Sequence, residues 1–280
     1  MNRLVQQTVA VLENIRLARD TYRIRLGSPE FACTILPGQF LMVRIPATSD
    51  PLLGRPFALY DTALDSQGQP AAIDIVYVVV GKMTGRLADL GKGDHVEIWG
   101  PLGNGFPQLS GLDHVGLVAG GIGYTPFLAY ARELLGKRGY GERPVRRCAQ
   151  RASFYYGVRT ADLLAGIDDF RSVGTEIHVA TDDGSHGFHG FVTDLLQTQE
   201  SPQHLIGCGP EPMMKALAGI AKQWRVPCHL SLETPMACGV GICFSCVTPV
   251  ETATGWDYRR VCVDGPVFDA GSLVWDDELK

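Results

Sequence analysis

This sequence has no long apolar run. No window approaches the roughly 18–20 apolar residues needed to cross a bilayer, so no membrane association is expected. Concentrated positive charge is missing too. Its 25 Lys and Arg stand against 30 Asp and Glu, for a formal net charge of −5. Phosphate backbones are bound by dense basic surfaces, so no nucleic-acid partner is expected. The densest basic run, Arg143 to Arg151, is short, is broken by Pro144, and reads as a solvated loop or helix end. The N-terminal stretch lacks the continuous apolar segment of a secretory signal. Hydrolase motifs are absent, with neither a G-x-S-x-G elbow nor H-E-x-x-H. The seven histidines form no constellation, since His186 and His189 sit in a glycine-rich loop without a third ligand nearby.

Cysteine, by contrast, is plentiful, with eight residues. Without a secretory signal they point to a reducing, cytoplasmic setting, where close cysteine spacing means metal more often than disulfide. Cys238, Cys243 and Cys246 form C-x4-C-x2-C, and Cys262 follows further on. That is the plant-type spacing for a [2Fe–2S] cluster. A short loop brings three thiolates together with little chain entropy lost. Gly239 and Gly241 let the backbone curl and aim N–H groups at the sulfurs. Four cysteines also satisfy tetrahedral zinc, but zinc sites usually carry two C-x2-C pairs and one is present here. Cys33, Cys148 and Cys228 read as small buried hydrophobes. Cys208 differs, because it ends a strand at the mouth of a nucleotide domain.

Two or three domains are expected in 280 residues, and the patterning divides the chain into three. Residues 1–108 read as short strands between Pro and Gly breaks, including Thr21 to Leu26, Gln39 to Ile45 and the β-branched run Ile73 to Val80. A small antiparallel β-barrel is the favoured architecture. Residues 109–226 alternate strand, turn and helix, with strands at His114 to Ala119, Ser153 to Val158, Glu176 to Ala180 and His204 to Cys208. Helices are expected at Pro126 to Leu135 and Glu211 to Trp224, which together predict a doubly wound parallel α/β sheet. Residues 227–280 turn short, irregular and rich in Cys and Gly, as suits a small iron–sulfur domain.

Gly120, Gly121 and Gly123, followed by Thr125 and Pro126, lie where a strand's carboxyl end enters a helix. Glycines there let backbone N–H groups approach a pyrophosphate, and the helix N-terminus adds favourable partial charge. A second such turn, Cys208-Gly209-Pro210 leading to Met213 and Met214, can line the same crevice. Taken alone, each turn has a simple chain-reversal explanation, and the two methionines read as core. In the first domain, Arg55-Pro56-Phe57-Ala58 offers a guanidinium suited to a flavin pyrophosphate and an aromatic suited to its ring. The loops Gly81 to Gly85 and Gly100 to Phe106 either contact a cofactor or turn the chain.

RPFA, GGIGYTP with CGPEPMM, and MACGVGICFSC leading to VCVDGPVF occur in that order. Together they resemble the ferredoxin–NADP reductase superfamily, and more narrowly the electron-transfer subunits of NAD-linked dihydroorotate dehydrogenases of type B. GPLGNGF is also typical of those subunits. The resemblance spans the whole chain and is most specific from Glu233 to Cys246 and Val261 to Phe268. It implies FAD, a [2Fe–2S] cluster and NAD(H) as cofactors. The implied partner is an FMN-containing catalytic subunit, in a heterotetramer of two of each. It places FAD against Arg55 to Ala58, the strand residues Val76, Tyr77 and Val78, and the turn residues Met83 and Thr84. The chain departs from the pattern at Ala58, where Ser is common, at Val78, where a basic residue is common, and at Met83, where Gly is common. The segment from Ser49 to Pro70 is longer than usual. The implied reaction oxidises dihydroorotate in the partner and passes electrons to NAD⁺. The subunits of hydrogenase diaphorases, sulfide dehydrogenases and ferredoxin–NADP transhydrogenases share the pattern. A zinc-stabilised binding module is the non-enzymatic alternative.

Overall fold

The structure, a computed structural model, describes residues 4–46 and 50–275. The chain opens with β1 (Val5–Ala18), β2 (Thr21–Gly27), α1 (Pro29–Thr34), β3 (Phe40–Arg44), β4 (Arg55–Ala58), β5 (Asp61–Leu64), β6 (Pro70–Val78), α2 (Lys82–Ala88) and β7 (His95–Leu102). The seven strands form one antiparallel sheet in the order β4-β3-β7-β1-β2-β6-β5. The long β1 makes it curl. Its first half pairs with β7 and its second half with β2, with register shifts after Val11 and Arg16 that bend the strand. A buried core of Val9, Val11, Ile24, Leu41, Ile73 and Ile98 fills the inside of the curl. The Gly81 to Gly85 loop of the sequence reading is the first turn of α2, where the Thr84 hydroxyl accepts from the Gly81 and Val80 N–H groups.

The middle of the chain runs β8 (Leu112–Gly120), α3 (Phe127–Leu134), β9 (Ala149–Val158), α4 (Ile167–Val173), β10 (Glu176–Thr181), β11 (Phe188–His189), α5 (Val192–Gln197), β12 (His204–Cys208) and α6 (Glu211–Trp224). Two strands from beyond residue 226, β13 (Cys228–Ser231) and later β16 (Val267–Asp269), complete this second sheet, in the order β11-β10-β9-β8-β12-β13-β16. All its pairs are parallel except β13 with β16. β8, β9 and β12 carry near-continuous apolar runs, as strands covered on both faces must. Between β13 and β16 lie the cysteine loop and a hairpin, β14 (Val247–Thr252) with β15 (Gly255–Arg260). The basic run from Arg143 is a loop whose Arg143 pairs with the buried Glu133 carboxylate at 3.1 Å rather than facing water freely.

The three parts share cores. One face of the parallel sheet packs α3 and α4 with Val76 of β6, with Tyr60 between β4 and β5, and with Phe106 after β7. The other face packs α5 and α6 in a core that continues into Phe40, Met42 and Leu102 of the first sheet and Cys246, Val261, Cys262 and Phe268 of the tail. Burial of this kind resists relative motion of the parts. Tyr60 adds a hydroxyl donated to Asp169 of α4 at 2.6 Å.

At the back of the parallel sheet, His204 of β12 and His229 of β13 stack, with Nε2 and Nδ1 2.9 Å apart. One nitrogen donates and the other accepts, so the accepting ring must be unprotonated and the pair cannot carry two charged rings. Burial, then the neighbouring His229, push His204 down to about 4, against a partial opposing pull from Asp269. Between about pH 6.5 and 4 the unfolded chain therefore binds the extra proton, and stability falls as pH falls. At pH 5 the expected loss is about 2 kcal/mol relative to pH 8. Urea denaturation at the two pH values checks this, and His204→Gln should flatten that part of the dependence.

Candidate functional site

Arg55, Pro56, Phe57 and Ala58 of β4, Val76, Tyr77 and Val78 of β6, and Met83 and Thr84 of α2 line one cavity of about 810 Å³. Gly123, Thr125, Pro126 and Cys208, from the ends of β8 and β12, line the same cavity. Sheet order explains the meeting. β8 and β12 are hydrogen-bonded neighbours, so the turns after them lie side by side at the carboxyl edge, where open α/β sheets bind ligands. Phe57 stands edge-on to Tyr77 with ring centroids 5.9 Å apart, and Tyr77 stacks on Tyr22. The Arg55 guanidinium donates to the carbonyls of Leu53 and Gly54 at 3.1 and 3.0 Å, which tethers the loop leading into β4. Part of the long segment lies on the cavity rim at Pro51 and Leu53, while its first residue, Ser49, is outside the described residues.

Gly120, Gly121, Gly209 and Pro210 line a second cavity of about 370 Å³. It shares Ile122, Gly123, Leu232, Glu233 and Thr234 with the first, so the two meet at one wall. Close backbone approach demands the glycines. A Cβ on Gly123 would strike the Cys208 carbonyl, and one on Gly120 would sit 2.7 Å from the Met213 sulfur. Met213 thus packs across Gly120 and Gly209 and lines neither cavity. Burial pushes the Cys208 thiol up to about 12, which keeps it protonated at neutral pH. Of the cysteines read as core, Cys148 and Cys228 are buried, whereas Cys33 is exposed near the end of α1.

The cysteine loop reaches the first cavity through Met236, Ala237 and Ser245, whereas none of the four cysteines lines it. Cys246 and Cys262 are buried, Cys238 is half-buried and Cys243 is exposed. Cys238 is the cysteine that acts on the Cys243 thiol, and Cys246 is the one that acts most on the Cys262 thiol. Among the described residues no group of three or more His, Cys, Asp or Glu side chains stands close enough to hold one metal ion. Two pairs of thiols fit two irons, with two thiolates on each. The Val240 N–H donates to the Cys238 sulfur at 3.4 Å, and Gly239 reaches the necessary left-handed backbone at φ +73°. Gly239 also lies flat on Met42, where a Cβ would come within 2.7 Å. Trp99 of β7 donates its indole N–H to the Cys238 carbonyl at 2.9 Å, and Asn104 donates to the Val267 carbonyl at 2.8 Å. These contacts seat the cluster loop on the first sheet.

Sequence reasoning missed one wall of the cavity. Pro235, Met236, Ala237 and Ser245 of the cysteine loop line it opposite β4 and β6. No local pattern marks these residues, because their position depends on how the tail folds back across the first sheet.

Three family models match successive stretches of the chain. They are an oxidoreductase FAD-binding domain over residues 8–106, an oxidoreductase NAD-binding domain over 117–219, and the iron–sulfur cluster binding domain of dihydroorotate dehydrogenase B over 233–274. Fold and domains define a ferredoxin-reductase-like oxidoreductase that uses FAD, NAD and an iron–sulfur cluster. The electron transfer subunit of dihydroorotate dehydrogenase B (NAD(+)) from Geobacillus kaustophilus is 40% identical over 275 residues, covering 96% of this chain and 98% of that one. The Shouchella clausii counterpart is 36% identical over 272 residues, with the same coverage. Among solved structures, that of an NADH-dependent reduced ferredoxin-NADP oxidoreductase matches with a TM-score of 0.81 at 28% identity, over 97% of this chain and 91% of that one. The chain belongs to the family of dihydroorotate dehydrogenase B electron transfer subunits. Among the described residues no helix is long and apolar enough to cross a membrane.

Proposed function

We propose that this chain relays electrons between NAD(H) and the FMN of a dihydroorotate dehydrogenase catalytic subunit, so that the assembly converts dihydroorotate and NAD⁺ to orotate and NADH in pyrimidine biosynthesis. A cytoplasmic heterotetramer of two chains of each kind is the assembly we infer. One observation carries the reading: a single cavity is walled by the first sheet, by the nicotinamide turns and by the cysteine loop. FAD supplies the conversion between a hydride's electron pair and the single electrons that a [2Fe–2S] cluster accepts.

The chain's own residues bind and orient. Phe57 and Tyr77 offer apolar faces to the flavin ring, and Arg55 offers a fixed cation to its pyrophosphate. Gly123, Thr125 and Cys208 would hold the nicotinamide at the same cavity, and Gly120, Gly121 and Gly209, which line the second cavity, would leave room for its pyrophosphate. Cys238 and Cys243 would hold one iron and Cys246 and Cys262 the other. Arg55→Ala is expected to weaken FAD binding by about 10–100-fold, the value of a charge-assisted contact. Flavin retained after gel filtration reads the effect.

The deciding experiment is anaerobic co-purification with the neighbouring gene products, followed by visible and EPR spectra during NADH titration. A flavin and a reducible [2Fe–2S] signal, with an FMN barrel protein bound, support the reading. A colourless, zinc-containing protein overturns it. The likeness to the ferredoxin-NADP oxidoreductase supports a second reading, an electron-transfer subunit of another flavin complex. Capture of a larger flavoprotein or a hydrogenase in place of the barrel protein would favour that one.

A further inference from the structure

The wall between the flavin cavity and the cluster loop turns on one hydroxyl. Ser245 lines the cavity, and its Oγ lies 3.1 Å from the Cys243 sulfur. The same Oγ accepts the Ala237 N–H at 3.2 Å, and Ala237 lines the cavity beside it. A serine hydroxyl has one proton to give and lone pairs to receive. With the Ala237 N–H already donating to it, its own proton is free for the Cys243 sulfur. At the start of the loop, Trp99 donates to the Cys238 carbonyl and Gly239 rests on Met42, while Cys243 and Ser245 themselves are exposed.

We propose that Ser245 is a positioning residue for the flavin-to-cluster electron step. Its hydroxyl ties the cavity wall to a cluster ligand and sets the potential at which the cluster accepts an electron. The inference rests on the flavin and cluster sites proposed above. In the step one electron is lost by the flavin and gained by the cluster, and no bond to Ser245 forms or breaks. A donated hydrogen bond stabilises negative charge on a thiolate, and the reduced cluster carries one more negative charge than the oxidised one. The bond therefore favours reduction, and its loss lowers the potential.

The test is an EPR-monitored redox titration of the full-length chain carrying its flavin and cluster, as wild type, Ser245→Ala and Ser245→Thr. In the alanine variant the one-electron equilibrium is expected to shift about tenfold against reduction, which is ~59 mV for one electron. Threonine keeps the hydroxyl and is expected to restore the wild-type midpoint. A cluster lost in the alanine variant and kept in the threonine variant supports the same role, since alanine is smaller and cannot clash. An alanine variant with an intact cluster and an unchanged midpoint overturns this inference alone, as does cluster loss in both variants. A wild-type chain without a reducible cluster overturns the proposed function as well.

Discussion

Cys262→Ala is expected to remove the [2Fe–2S] signal and to cut NADH-driven electron delivery to the partner by at least ~100-fold, with FAD retained. Even residues that only orient metal ligands cost 10–100-fold when changed, and Cys262 is a ligand in our reading. It is 2% exposed, so no solvent-borne ligand can readily take its place. Burial first, and the Cys246 sulfur next, push its thiol up to about 12, so iron must displace a tightly held proton. At Cys243, by contrast, the Ser245 hydroxyl and its neighbours hold the thiol down to about 6. Cluster assembly should accordingly slow as pH falls. Cys228→Ala is the control, because Cys228 is buried on β13, outside the C-x4-C-x2-C loop, and serves as a small hydrophobe. Iron analysis and EPR of both variants decide the matter. A persistent cluster in Cys262→Ala, or its loss in Cys228→Ala, would sink the ligand assignment.

Asp61→Ala is expected to destabilise the chain by about 3 kcal/mol, the low end for breaking a buried ion pair. Asp61 of β5 is 7% exposed and faces the nicotinamide-binding part of the chain. Its carboxylate accepts from the Tyr140 hydroxyl at 2.6 Å and from Arg138 at 3.2 Å, and the Arg132 Nε stands 3.1 Å away. Burial raises its pKa, while the two arginines and Tyr140 oppose that shift. Truncation would leave these partners facing an empty pocket. The low end of the range applies because both arginines keep some access to water. Asp61→Asn keeps the shape and the acceptor for Tyr140, and so should cost less. The functional consequence follows from position. Asp61 and Tyr60 tie the first sheet to α3 and α4, so loosening them should slow hydride transfer while FAD stays bound. Urea denaturation of the flavin-loaded protein reads the first effect, and a loss below about 1 kcal/mol would contradict the role given to the pair.

Much of the scaffold is legible locally. The helix over Glu211–Trp224 and the strand over His204–Cys208 have the expected bounds, because an apolar run ended by Gly-Pro leaves few alternatives. The long β1 escapes a strand reading that begins at Thr21. Its apolar alternation fades at the bulges, and only pairing with β7 and β2 identifies it. The tail, which reads as irregular, contributes β13 and β16 to the parallel sheet. A four-residue and a three-residue strand carry too little pattern to be recognised before their neighbours are known.

The sequence by itself carried the C-x4-C-x2-C spacing and the two glycine turns, because close thiolates and tight backbone are local demands. The order of its motifs carried the family resemblance that implies FAD and NAD(H). Tertiary structure alone decided that the cysteine loop lines the same cavity as β4, β6 and the turns after β8 and β12, with Ser245 on that wall beside Cys243. Those outcomes depend on Met42, Trp99 and Asn104 meeting the tail across more than a hundred residues, and no local periodicity encodes such a contact.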